Sequence, residues 1–296
     1  MSTATIKKSV PDGKTWKRDL ADYLAADERR SLGQIASTVI PYLSVWVIAL
    51  IVRPGAWLAV GLGLVATVFL VRMYSLFHDL THNSMFKSRA TSTRLGYALG
   101  FLLFTPYRWW QRQHTLHHAH TGNLDGRGPG EIYTMTLAEY EDASRMRKLG
   151  YRLYRNPLLM LFVGPTLVFL FERRFPQKGM TPKILFSVLV TNLALAAWVA
   201  GWGLLLGWQT FLIIQGTTLV AGGAVAGWML YIQHQYEDTY YQPGDNWQFE
   251  RTPVVTIRSS IGCLRLKLWD EKTGALVRFP PLGRPEISPR TVQPSR

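Results

Sequence analysis

AWLAVGLGLVATVFLVRMYSLF, residues 56–77, is an apolar run with one charge, Arg72, close to its end, and His78-Asp79-Leu80-Thr81-His82 follows at once. A helix needs roughly 20 mostly apolar residues to cross the hydrocarbon core of a bilayer. This run is that long. It is preceded by Arg53-Pro54-Gly55, a turn signal, and by a second run at 35–52. Two more runs, 184–206 and 210–232, are separated only by Gly207-Trp208-Gln209. Four runs arranged as two close pairs predict an all-α integral membrane protein whose four transmembrane helices form two hairpins. Two shorter apolar patches, 95–107 and 158–171, are of a length that indicates interfacial or re-entrant segments, and both are expected at the membrane surface.

Composition agrees with that architecture. The chain has 296 residues, of which 48% are hydrophobic and 18% charged, too apolar for an intrinsically disordered protein. Its one cysteine, Cys263, excludes an intramolecular disulfide framework and any cysteine-rich zinc or iron–sulfur site. Lys and Arg number 33 against 19 acids, a net charge of +14. The basic residues crowd into the N-terminal segment, 1–34, and the stretch between the hairpins, 78–183, whereas the hairpin tips carry only Arg53. Positive residues near span ends stay cytoplasmic. Both termini and the central stretch are therefore expected on the cytoplasmic side. Topology and attraction to anionic headgroups account for the charge, and no nucleic acid is required. No apolar segment of signal-peptide type lies near Met1.

All seven histidines fall at one predicted membrane face. His78 and His82, four apart, share one side of a helix. His114-Thr115-Leu116-His117-His118 places three more at i, i+3 and i+4; His120 follows, and His234 ends the last run. Ionisable groups at membrane depth are costly and usually functional. Imidazole suits zinc, copper, iron and nickel. A closed structural zinc site takes about four ligands, whereas five to seven nitrogens suit two metal ions sharing one site. Two irons with open positions can activate dioxygen towards an unactivated C–H bond. Beside a bilayer, such a site has access to acyl chains.

These residues resemble the membrane fatty acid desaturases, of the acyl-lipid, omega-6/delta-12-like type. The likeness rests on His78-Asp79-Leu80-Thr81-His82-Asn83-Ser84-Met85-Phe86 and on His114-Thr115-Leu116-His117-His118-Ala119-His120-Thr121-Gly122-Asn123. Arg30-Ser31-Leu32 and Tyr151-Arg152-Leu153-Tyr154-Arg155-Asn156-Pro157 support it, so that it covers roughly 30–250. The resemblance implies a cytoplasmic, histidine-lined non-haem di-iron centre. It also implies an enzyme that places a cis double bond in a lipid acyl chain with O2 and two electrons from ferredoxin or cytochrome b5. By the same resemblance His78, His82, His114, His117 and His118 are iron ligands, and His234 is the extra histidine at the end of the last span. Asp79 either orients an imidazole from behind the ligands or is a solvated acid beside the metal; His120 is either a similar supporting residue or plain surface. Trp109 and Trp110 either line an acyl tunnel or belong to an interfacial aromatic belt, the reading also given to Trp198, Trp202 and Trp208.

The chain departs from the family after residue 249. The family carries a third HxxHH box beyond its last span, and here no histidine follows His234. The chain thus divides into a cytoplasmic segment 1–34, a desaturase-like membrane domain 35–249 and an atypical tail 250–296, which a lost reading frame, a diverged tail, or substitute ligands such as Glu237 or Asp238 would each explain. Fewer than two irons and impaired activity are expected of such a chain. A di-iron hydroxylase or ketolase of the same class and a non-catalytic remnant are the alternative readings. Among the remaining motifs, residues 131–136 read as a surface loop with Thr136 capping a helix from Leu137, and Ala221–Gly227 as a helix-packing stripe.

Overall fold

A computed structural model describes residues 26–128, 132–234, 241–247, 267–270 and 275–278. Four long helices dominate it: α1 (Glu28–Val52), α2 (Ala56–Thr81), α8 (Pro182–Leu206) and α9 (Trp208–His234). Between the second and third lie α3 (Arg89–Leu102), α4 (Tyr107–His120), α5 (Leu137–Asp142), α6 (Arg145–Tyr154) and α7 (Gly164–Leu170). A π-helical turn, Leu159–Val163, leads into α7, and a 3-10 turn, Glu172–Arg174, follows it. Two short antiparallel strands, β1 (Lys267–Asp270) and β2 (Ala275–Arg278), pair in the tail, an element that its sequence did not announce.

The four long helices are those expected from the apolar runs, and each is long and apolar enough to cross a membrane. α1 begins earlier than its apolar run because Asp27 caps it, accepting from the Arg30 amide at 3.0 Å. It stops at Arg53, which adopts a left-handed conformation (φ 50°) ahead of Pro54. Much of the apolar surface of these helices faces outward, including Ile40, Ile51, Val68, Phe186, Leu193 and Leu204. That surface suits lipid contact.

Helix–helix contact is closest where side chains are smallest. A Cβ on Gly63 would stand 2.8 Å from Thr217 Cβ, and the Thr218 hydroxyl donates to the Gly63 carbonyl at 3.1 Å, so α2 and α9 touch backbone to side chain there. Gly222, in the stripe expected to serve packing, would meet Leu70 at 2.7 Å; Gly223 and Gly227 receive Pro165 of α7. Trp46 of α1 sits at the centre of the aromatic core against Trp198, Trp202 and Phe211, with Tyr42 stacked on Trp198. Trp198 and Trp202 therefore pack inside the bundle, whereas Trp208 is half exposed, as a belt residue would be.

The segments between the spans position the site. α3 and α4 are joined by a tight turn in which Phe104 is left-handed (φ 54°) and the Thr105 amide donates to the Gly100 carbonyl at 2.7 Å. A Cβ at 100 would lie 2.6 Å from the Thr105 carbonyl, so the turn requires glycine there. The shorter patch at 158–171 becomes the π turn and α7, bent by 67° from α6. Thr136 caps α5 as expected, in a reciprocal box: the Glu139 amide donates to the Thr136 hydroxyl at 3.1 Å and the Thr136 amide to the Glu139 carboxylate at 2.7 Å. Among its described residues, the stretch just before it is surface only at Tyr133, however. Ile132, Thr134 and Met135 are buried, because Tyr151 and Tyr154 of α6 take the amides of Met135 and Tyr133 on their hydroxyls.

Candidate metal centre

Two helix ends build the site. α2 closes with His78 one turn from its end and His82 at its C-cap; Asn83, left-handed at φ 55°, then turns the chain away. α4 carries His114, His117 and His118 on one face. The helices are fastened together beneath the imidazoles. The Tyr107 hydroxyl donates to the Leu80 carbonyl at 3.0 Å, and the Gln111 amide group donates to the Thr81 carbonyl at 3.4 Å. Tyr107 gets that close because Gly96 of α3 leaves room: a Cβ there would be 2.3 Å from its ring.

Four of the predicted ligands converge. One nitrogen from each of His78, His82, His114 and His118 lies within 4.8 Å of the others. His114 Nε2 stands 2.9 Å from both His82 Nε2 and His118 Nε2. Two nitrogens sharing one ion at right angles, with bonds of ~2.0–2.1 Å, would be ~2.9 Å apart. The donor set therefore fits a transition-metal ion. Asp79 accepts from His78 Nδ1 at 3.1 Å, leaving Nε2 for the cluster. A carboxylate in that position would orient the imidazole.

The electrostatics favour neutral imidazoles. Burial lowers His82, His114 and His118, and neighbouring histidines lower each further; His114, the most enclosed, is pushed down to about 3. Near neutral pH their lone pairs are free to coordinate.

The other predicted residues fall differently. His117 is buried, with its ring 5.7 Å from that of His118, beside the four-nitrogen group. His120 is exposed and turned towards Gly126, away from the cluster. His234 ends α9, and its side chain lies outside the described residues, as do Glu237 and Asp238. Trp110 stacks on His114 with ring centroids 5.3 Å apart, and both Trp109 and Trp110 line the cavity described next.

That cavity has a volume of about 900 Å³. His78, His114, His117 and His118 form part of its wall; the rest is mainly apolar, from α2, the π turn, α7 and α9. It reaches Leu70, two turns of α2 or ~12 Å from His78. An unbranched apolar chain could lie along it with a mid-chain carbon beside the imidazoles. Leu153, Tyr154 and Arg173 also line it, and sequence pattern did not single them out for a site. Arg173 lies over the Trp110 ring at 5.1 Å and donates to the Thr105 hydroxyl at 3.0 Å.

Comparison with known proteins places these features in a wider group. Residues 55–257 match the family model described as fatty acid desaturase. A protein of Bacillus subtilis named fatty acid desaturase is 38% identical over 242 residues, covering 81% of this chain and 69% of that protein. Two proteins named sn-1 acyl-lipid omega-3 desaturase (ferredoxin) are more distant. The one from a Synechocystis species is 28% identical over 64% of this chain and 54% of its own length. The one from a Nostoc species is 24% identical over 76% and 60%.

Proposed function

This chain belongs to the fatty acid desaturase family, and on that premise we propose that it introduces a cis double bond into the acyl chain of a membrane lipid. It is a multi-pass membrane protein by family and by its four apolar helices. In the proposed arrangement these form two hairpins, with both termini and the histidines on the cytoplasmic face. The observation that carries the reading is the convergence of His78, His82, His114 and His118, three of which, His78, His114 and His118, stand in the wall of an apolar cavity of about 900 Å³.

The ligands proposed for iron are those four together with His117 and His234. Iron held there would supply the chemistry for removing hydrogen from an unactivated C–H bond with O2 and two electrons. The residues themselves hold, orient and exclude. Asp79 fixes the His78 ring, and the Trp110 stack limits rotation of His114. The apolar walls replace water around a substrate that offers no polar handle near its reacting carbons. The electrons come from a separate ferredoxin or cytochrome b5 type donor. The third box seen in the family is not present after His234, and we propose that iron binds at fewer than two per chain and that turnover is slow.

The test is the fatty acid profile of a desaturase-free host expressing the chain, by gas chromatography with mass spectrometry. The expected result is a small amount of new cis-unsaturated acid. Its yield should rise when residues after 249 are replaced by an HxxHH-bearing segment from a family member, and should vanish with His114→Ala. A hydroxylated product would favour the hydroxylase or ketolase reading. No product from either version, with far less than one iron per chain, would favour a non-catalytic remnant.

A further inference from the structure

α6 carries three distinct stripes. At 100° per residue, Met146, Leu149 and Leu153 fall together on one side, and Arg145, Lys148 and Arg152 on another. The third stripe is Arg147, Gly150, Tyr151 and Tyr154. The apolar stripe is exposed, with Met146 at 75%. Apolar residues exposed beside a basic stripe are the pattern of a helix lying in the bilayer interface.

The third stripe faces Tyr133 and Met135 and forms with them a cleft of about 310 Å³. Tyr154 lines both this cleft and the large cavity. The sequence neighbours Ile132 and Tyr133 are divided between the two: Ile132 lines the cavity and Tyr133 the cleft. One wall, built by 132–133 and 153–154, thus separates an apolar chamber from a shallow aromatic cleft. Arg147 is the one cation lining that cleft, and among the described residues it has no carboxylate partner.

We propose that this cleft binds the phosphate of the phospholipid whose acyl chain occupies the cavity, with Arg147 as its anion contact. The occupant's chemistry follows from the juxtaposition. An acyl ester carries its phosphate a few bonds from the first chain carbons, so a cation one wall away from the chamber meets the phosphate while the chain passes Tyr154. A guanidinium suits phosphate oxygens, and tyrosine rings suit the glycerol level of the interface. The exposed apolar stripe commits the occupant to the bilayer rather than to a soluble acyl thioester. With four cations and no acid on α6, the preferred headgroup is anionic. The assignment of the cavity to an acyl chain rests on the function proposed above; lipid binding in the cleft is measured without turnover.

The metal-free full chain is reconstituted in phosphatidylcholine vesicles containing a minor fraction of phosphatidylglycerol with a photoreactive group near its glycerol. After irradiation, labelled peptides are mapped by mass spectrometry. Labels are expected on the peptides holding Tyr133 and Tyr154. They should fall about tenfold in Arg147→Gln, as for loss of a charge-assisted contact, and be partly retained in Arg147→Lys. Arg145→Gln, which removes the same charge outside the cleft, should label as the parent does. Equal loss in both glutamine variants, or labelling spread evenly along α6, would overturn the proposal in favour of an unspecific basic surface. Displacement of the label by a soluble acyl-CoA, but not by unlabelled phosphatidylglycerol, would overturn the choice of phospholipid.

Discussion

His114 occupies the centre of the cluster: its Nε2 is 2.9 Å from two other imidazole nitrogens, and it is buried against Trp110. Crowding of this kind favours neutral rings, and that has a consequence for pH. The folded values of His82, His114 and His118 lie below the ordinary 6.5, so the unfolded chain binds more protons once the pH drops beneath that value. The contribution to stability is therefore complete above about 6.5. It diminishes as pH falls, for His114 down to about 3. Melting of the metal-free chain in detergent, followed by circular dichroism across that window, should show a falling midpoint, and His114→Gln should flatten the profile. Asp79 offers a second test at this scale. Asp79→Asn keeps shape but loses the carboxylate that accepts from His78, and metal affinity should weaken about 10- to 100-fold by equilibrium titration. An unchanged affinity would mean that Asp79 is only a solvated neighbour. The spacing of the two boxes made His78, His82, His114 and His118 legible from sequence. It did not separate His117 from them, because i+3 and i+4 on one helical face differ only by how the facing helix meets them.

Gly96 is the point at which α3 admits the Tyr107 ring, and through Tyr107 it holds α4 onto the end of α2. Gly96→Ala should cost about 1–3 kcal/mol, as overpacking does, and should loosen metal binding by letting the two boxes part. Gly61→Ala provides the contrast, since a Cβ there meets nothing within 4 Å. A differential scanning comparison of the two variants would expose an error if both behaved alike. The apolar runs made the long helices readable, because a lipid-facing helix must be apolar nearly all round. The elements between them carry no such constraint. Burial of Ile132, Thr134 and Met135 depends on tyrosines about 20 residues further along the chain, and the roles of Leu153 and Arg173 depend on a cavity that forms only once α2, α4 and α9 have met.

Four crossings would return the chain to the side on which it began; a fifth, if the bent pair formed by α6 and the segment through α7 traversed the bilayer, would not. In a Cys263→Ser background, single cysteines introduced at Ser2 and Asn246 should react from the same side of sealed vesicles with an impermeant maleimide. Opposite sides would mean five crossings and would remove α6 from the interface. The part of the molecule that bends there contains the π turn, in which the Gly164 amide reaches back to the Leu159 carbonyl, five residues away rather than four. Such a turn is one residue longer than the α-helix it interrupts. Deleting a single residue within 159–163 would therefore leave a regular helix rather than a break, with the flanking faces nearly unrotated, because five residues of the wider turn at ~80° each and four of an α-helix at ~100° each sweep about the same angle. Loss of Leu159, Met160 or Val163 in this way would take one side chain out of the chamber wall while Pro165 stayed seated against α9. The size of the chamber is thus open to change by a single codon gained or lost, a coarser and quicker route to new chain preferences than replacing its lining one side chain at a time.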